Sequence, residues 1–218
     1  RLLNQALGTT VHSFELMLAA FILGLAFGGL WVRKHAARIG DVIAYAGVAQ
    51  ILMGISALLS IVAFAHSFQW VAWMMQALAK TDGGYTLFNL GGAVVSLLVM
   101  FPAAFFAGMT LPLFTLALLQ KGGGEQVIGR VYAANTLGAI VGVLLMMHVL
   151  TPLIGVRLSV MLAALADAAL GLYLIRSISP GRRTIGYRLG AAATVAALQV
   201  VTWAGRIDPQ LQTSCVFR

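Results

Sequence analysis

The chain is dominated by apolar stretches of about 20 residues that carry hardly any charge. Of its 218 residues, 61% are hydrophobic and only 9% are charged, whereas roughly a quarter of the residues of a soluble domain are charged. In a bilayer each backbone polar group must be satisfied within the protein, and a helix achieves this within one segment. The sequence therefore predicts an all-α fold, a polytopic integral membrane helix bundle.

Six segments have the length and hydropathy of transmembrane helices. They are residues 13–32, 42–65, 90–119, 131–150, 158–175 and 189–204, and together they define a membrane domain over 1–206. The third contains Pro102 and Pro112, which lack a backbone N–H and can kink a helix. Segment 68–79 is too short to span, and its two tryptophans predict a helix lying in the membrane interface.

The basic residues predict the orientation of this bundle. Nine lysines and arginines fall in the loops after the first, third and fifth segments, and five fall on the other side. The positive-inside rule places the nine in the cytoplasm, so both chain ends are expected outside. The net charge of +8 is then a topology signal that also attracts anionic lipid headgroups. Without a basic groove interleaved with aromatic residues, nucleic-acid binding is not expected.

Four stretches carry a resemblance to a known family. In chain order they are GTTVHSFELMLAAFILGLAFGG (8–29), FPAAFFAGMTLPL (101–113), GRVYAANTLGAIVG (129–142) and LTPLIGVR (150–157). In this order they resemble the membrane region of bacterial membrane-bound spermidine synthase-like proteins. The resemblance implies a multi-pass protein of the bacterial inner membrane, followed by a soluble aminopropyltransferase domain that uses decarboxylated S-adenosylmethionine as co-substrate. Residues 207–218 look like the first strand of that attached domain.

The predicted orientation conflicts with what this resemblance implies. Aminopropyltransferase substrates, decarboxylated S-adenosylmethionine and putrescine, are cytoplasmic, whereas six spans starting outside place the following domain outside. Either one span is miscounted or the attached domain acts on something else.

Residues of catalytic or cofactor-binding type are sparse in this chain. The cluster Gly122-Gly123-Gly124 lacks the G-x-G-x-x-G spacing and follows an apolar helix instead of a strand. Cys215 is the single cysteine, and no Cys or His pair has zinc spacing. We therefore predict no catalytic, cofactor or metal site in this chain, and expect any transferase activity to lie beyond Arg218.

Polar residues within the apolar segments form a first candidate site. Asp167 lies about 15 Å into the fifth segment at 1.5 Å per residue, and Gln50 and Gln199 are predicted at comparable depth. Glu15 lies about one turn into the first segment. Ionisable groups in a membrane commonly face a bundle interior or a cavity, so this set is either a solute site or a hydrogen-bonded structural feature.

Three histidines and two small-residue stripes complete the candidates. His12, His66 and His148 are predicted near the outer surface, where they form either a ligand, cation or pH-sensing site or simply hydrated interface residues. The small residues allow close helix packing or homo-oligomerisation, and they are Ala134, Gly138, Gly142, Gly24 and Gly28.

Two functions of different class follow from these observations. One is a membrane anchor or regulatory bundle for a spermidine synthase-like domain. The alternative is a transporter-like module for a small cationic solute such as a polyamine, since the segment GGLWVRKHAARIG (28–40) loosely resembles a cytoplasmic loop of major facilitator transporters. Six spans would make only half of such a transporter.

Overall fold

The computed structural model of the chain describes residues 11–77, 82–177 and 183–204. Over these residues the secondary structure consists of helices joined by short turns, with no strand. The elements are α1 (Val11–His35), a 3-10 turn (Ala36–Arg38), α2 (Val42–Ala77), α3 (Asp82–Gln120), α4 (Gln126–Leu144), a π-helix (Leu145–Leu150), α5 (Thr151–Arg176) and α6 (Arg183–Ala204).

Four of the described helices are long and apolar enough to cross a membrane. They cover Phe14–Arg38, Val42–Ala63, Leu90–Gln120 and Gln126–Arg176, and α6 contributes a shorter apolar stretch, Arg188–Thr202. The prediction of an all-α protein is thus confirmed over the described residues, and four of its helices have the length and composition that a membrane span requires.

The helices pack in a row with α2 at its centre. The most extensive contacts join α1 to α3, α3 to α2 and α2 to α5, and α6 lies against both α2 and α5. The Asp41 carboxylate accepts a hydrogen bond from the Ala44 N–H at 3.1 Å, which satisfies one of the free donors at the start of α2.

Two apolar clusters mark the two ends of the bundle. At one end, which we call the basic end because Arg33 and Lys34 lie in the last turn of α1 and Arg38 follows it, the buried residues come from α1, α2, α3 and the turn between α1 and α2. They include Val32, Val42, Ala46, Leu113 and Ala117. At the other end, the distal end, the buried residues are Leu58, Ile61, Ala164, Ala197 and Val201, from α2, α5 and α6.

The chain reverses direction at Gly155. This residue has φ 78° and ψ 163° inside an otherwise helical run. The start of α4 lies at the basic end, where Ile128 lines a groove with residues of α1 and α3. Beyond Gly155, Arg157 bonds to Val201 at the distal end, and Ile175 is back near Gly47 towards the basic end. The run Gln126–Arg176, which contains the predicted segments 131–150 and 158–175, is therefore broken into two legs at Gly155.

The separate interfacial helix predicted at 68–79 is not found. The backbone of α2 continues without interruption from Val42 to Ala77, and residues 78–79 lie outside the described part. Between Ala65 and Ala77 the sequence has neither glycine nor proline, so nothing local ends the helix. The predicted strand at 207–218 also lies outside the described residues.

Candidate functional site

The α1–α3 crossing is closed by backbone contact at glycines. A Cβ atom on Gly28 would overlap the Phe105 carbonyl oxygen, and one on Gly24 would lie 2.6 Å from the Ala104 Cβ. On the facing helix, a Cβ on Gly108 would lie 2.7 Å from the Leu25 Cα. The stripe predicted at Gly24 and Gly28 is therefore where the two helices approach most closely.

The α2–α5 crossing is built in the same way. A Cβ on Gly47 would lie 2.8 Å from the Gly171 carbonyl oxygen, and a Cβ on Gly171 would lie 2.7 Å from Ile51 Cγ1. Further along, a Cβ on Gly54 would press on the Ala164 carbonyl oxygen. Side chains of any size would separate these helices.

Asp167 and Gln50 lie on adjoining turns of the α2–α5 crossing. A Cβ on Gly54 would contact the backbone of Ala164 and Ala168, which precede and follow Asp167. One turn away along α2, Ile51 contacts Gly171. Gln50 is buried and its Oε1 has no hydrogen-bond partner. Asp167 is half-buried. Among the described residues neither side chain bonds to the other, and the Asp167 carboxylate has no internal hydrogen-bond partner there.

Gln199 and Glu15 are not part of this pair. On α6, Gly190 is the residue that lies against Ile51 of α2. Gln199 lies nine residues after Gly190, which is about 13 Å along the helix axis at 1.5 Å per residue. Its side chain is exposed, and its carbonyl accepts a hydrogen bond from the Thr202 hydroxyl at 2.8 Å. Glu15 is exposed near the start of α1, which packs on α3.

The two described members of the predicted histidine set lie on separate elements and are not brought together. His66 on α2 is exposed, and its Nδ1 is hydrogen-bonded to the Val62 carbonyl oxygen at 2.9 Å. His148 is exposed in the π-helix, which packs against α4 and α5. The side chain of His12 lies outside the described part. Over the described residues, no three His, Cys, Asp or Glu side chains form a group that could hold a metal ion.

Helix α4 stands apart from the rest of the bundle. None of its residues is buried, and it meets α3 and the π-helix, the elements that adjoin its two ends. Nothing lies within 4 Å of a Cβ built on Gly138 or Gly142. The stripe Ala134, Gly138 and Gly142 therefore has no packed helix among the described residues.

Two features of the structure were not predicted from the sequence. Arg157 Nη2 donates a hydrogen bond to the Val201 carbonyl oxygen at 2.9 Å, 44 residues away. Its cation thus lies at the C-terminal turn of α6, which the helix dipole favours. The second feature is a groove of about 380 Å³ at the basic end, between α1, α3 and the start of α4. The sequence signal for the first feature was the arginine at the end of LTPLIGVR, and for the second it was Arg33 at the end of the first apolar segment.

No family model, curated protein or solved structure matches this chain. The function is therefore inferred from the geometry of the described residues and from the resemblance of the four sequence stretches.

Proposed function

We propose that this chain is the membrane domain of a spermidine synthase-like protein, which anchors or regulates an attached soluble domain of aminopropyltransferase type. The observation that carries the anchoring role is the pair of helix crossings closed by backbone contact at glycine. Such crossings hold α1, α3, α2 and α5 at fixed spacing, since packed interfaces have discrete arrangements and do not deform continuously. A rigid bundle is suited to holding a domain at the bilayer.

In this proposal the bundle crosses the inner membrane six times. The parts of Gln126–Arg176 before and after Gly155 count as two crossings, and the shorter apolar stretch Arg188–Thr202 counts as the sixth. The basic end, with Arg33, Lys34 and Arg38, faces the cytoplasm by the positive-inside rule. Both chain termini then face outward. A single crossing by Gln126–Arg176 would instead leave the C-terminus in the cytoplasm.

A reporter fusion tests the anchor and its orientation together. We expect alkaline phosphatase fused after Arg218 to stay with carbonate-washed membranes and to be active, because it folds only outside the cytoplasm. The control is green fluorescent protein at the same position, which should be dark. A soluble reporter would refute the anchor. If the green fluorescent protein fusion is fluorescent and the phosphatase fusion is inactive, the six-crossing orientation is refuted. The C-terminus would then be in the cytoplasm, where aminopropyltransferase substrates are found.

A polyamine-binding module is the second candidate, favoured by Asp167 and Gln50. Asp167 has no partner among the described residues, and a carboxylate at membrane depth is costly unless another group forms a hydrogen bond or ion pair with it. An organic cation could form a charge-assisted hydrogen bond with Asp167, and Gln50 Oε1 could accept another.

Asp167→Asn separates the two candidates. Asn keeps the size and hydrogen-bonding capacity of the side chain but removes its charge. If the bundle binds a polyamine, wild-type protein in nanodiscs should bind spermidine or putrescine, and the variant should bind at least about tenfold more weakly, about 1.4 kcal/mol. If the bundle is only an anchor, neither protein should bind. Calorimetry or equilibrium dialysis measures the difference.

Asp41→Asn is the matched control for this experiment. It removes the same charge at the basic end, and asparagine can still accept the helix-capping bond from Ala44. Equal losses in the Asp41 and Asp167 variants would mean that binding reflects surface charge and not the buried site.

A further inference from the structure

The groove at the basic end lies outside the proposed anchoring and polyamine functions. It is lined by the end of α1, the last turns of α3 and the first turns of α4. Its volume of about 380 Å³ is at the lower end of the range for ligand sites in proteins. Its walls are largely aliphatic, with Val32, Leu111 and Leu116 among them.

One cation stands at the mouth of this apolar groove. Arg33 is exposed and lies directly after the apolar part of α1, where the hydrocarbon region of a bilayer gives way to headgroups. The described residues provide no acceptor for its guanidinium. The two nearby acids do not pair with Arg33. The Asp41 carboxylate accepts a hydrogen bond from the Ala44 N–H, and Glu125 is exposed in the turn before α4.

The groove reaches from this cation into the depth of the bilayer. Leu111 lies nine residues before Gln120, the last residue of α3, which is about 13 Å along the helix axis. On this wall the Thr115 hydroxyl donates to the Leu111 carbonyl oxygen at 2.8 Å, and Pro112 has no N–H to offer. The deep part of the groove is therefore apolar, while its mouth is cationic.

We propose that this groove binds one anionic phospholipid, with its phosphate on Arg33 and the upper part of an acyl chain between α3 and α4. Guanidinium pairs with phosphate through two parallel hydrogen bonds. Together with Arg33, the neighbouring cations Arg38 and Arg130 outnumber the two acids at this end and attract negatively charged lipid. The acyl chain covers apolar surface of α4, none of whose residues is buried.

Native mass spectrometry of the protein released from nanodiscs tests this proposal. The nanodiscs contain phosphatidylcholine and phosphatidylglycerol, and we expect one retained phosphatidylglycerol per chain. Arg33→Gln should weaken its retention at least about tenfold, the loss of one charge-assisted contact. Lys34→Gln removes the same charge from an adjacent residue that does not line the groove, and should change retention by less than about twofold.

A second variant fills the groove without changing charge. Ala36→Phe adds a ring to the groove lining and should abolish lipid retention; Leu116→Phe is the substitute if Ala36→Phe is not monodisperse. Equal effects of the Arg33 and Lys34 variants, or equal retention of both lipids, would overturn the proposal. Displacement by inorganic phosphate would show a soluble-anion site instead, and loss of lipid on dimerisation would show that a second copy fills the groove.

Discussion

Gly28→Ala should destabilise the bundle by about 1–3 kcal/mol, the usual cost of overpacking a tight interface. The new methyl group would overlap the Phe105 carbonyl oxygen and approach Met109 N at 3.1 Å. Because both contacts are with the backbone of α3, no rotamer change relieves them, and α1 must move away from α3. The measurement is unfolding of the helical signal by sodium dodecyl sulfate in mixed micelles, compared with the wild type.

Gly29→Ala is the control for this prediction. It makes the same change one residue along α1, where the nearest atom to the new Cβ is the Gly108 carbonyl oxygen at 3.8 Å, an ordinary contact. Alanine is the better helix former by about 1 kcal/mol, so this variant should be as stable as the wild type or more stable. If the Gly28 and Gly29 variants unfold at the same sodium dodecyl sulfate concentration, the close α1–α3 crossing is wrong.

The contrast between glycine stripes shows what the sequence could and could not predict. Gly24 and Gly28 have the same spacing of four as Gly138 and Gly142, yet the first pair is packed on α3 and the second pair faces open space. Spacing places residues on one face of a helix. It does not state whether another helix covers that face, because that depends on the path of the whole chain.

Helix positions were more predictable than helix contacts. Each of the six predicted segments falls within described helices, since a long apolar stretch in the sequence is itself the signal for a transmembrane helix. The sequence predicts similar depths for Gln50 and Gln199, but the register of the helix crossings puts only Gln50 within about one turn of Asp167. The Arg33 groove requires three separate helices, so no local pattern could indicate it.

The turn at Gly155 gives a prediction of a different physical kind. Its φ of 78° and ψ of 163° lie in a region that is essentially restricted to glycine. Gly155→Ala should therefore cost about 1–3 kcal/mol, although nothing lies within 4 Å of the new Cβ. The loss comes from the backbone conformation of the residue itself, whereas the loss at Gly28 comes from contact with a neighbouring helix.

Two further variants identify this backbone origin. Gly142→Ala lies in α4 with equally open surroundings, but in helical conformation, and it should leave stability unchanged or raise it. Gly155→Asn should be nearly as destabilising as Gly155→Ala, since asparagine tolerates the left-handed helical region near ψ of about 45° and not a ψ of 163°. Detergent unfolding of all three variants measures these differences. A stable Gly155→Ala protein would mean that the chain continues as helix through this point. Gln126–Arg176 would then cross the bilayer once, and the C-terminal reporter would change sides.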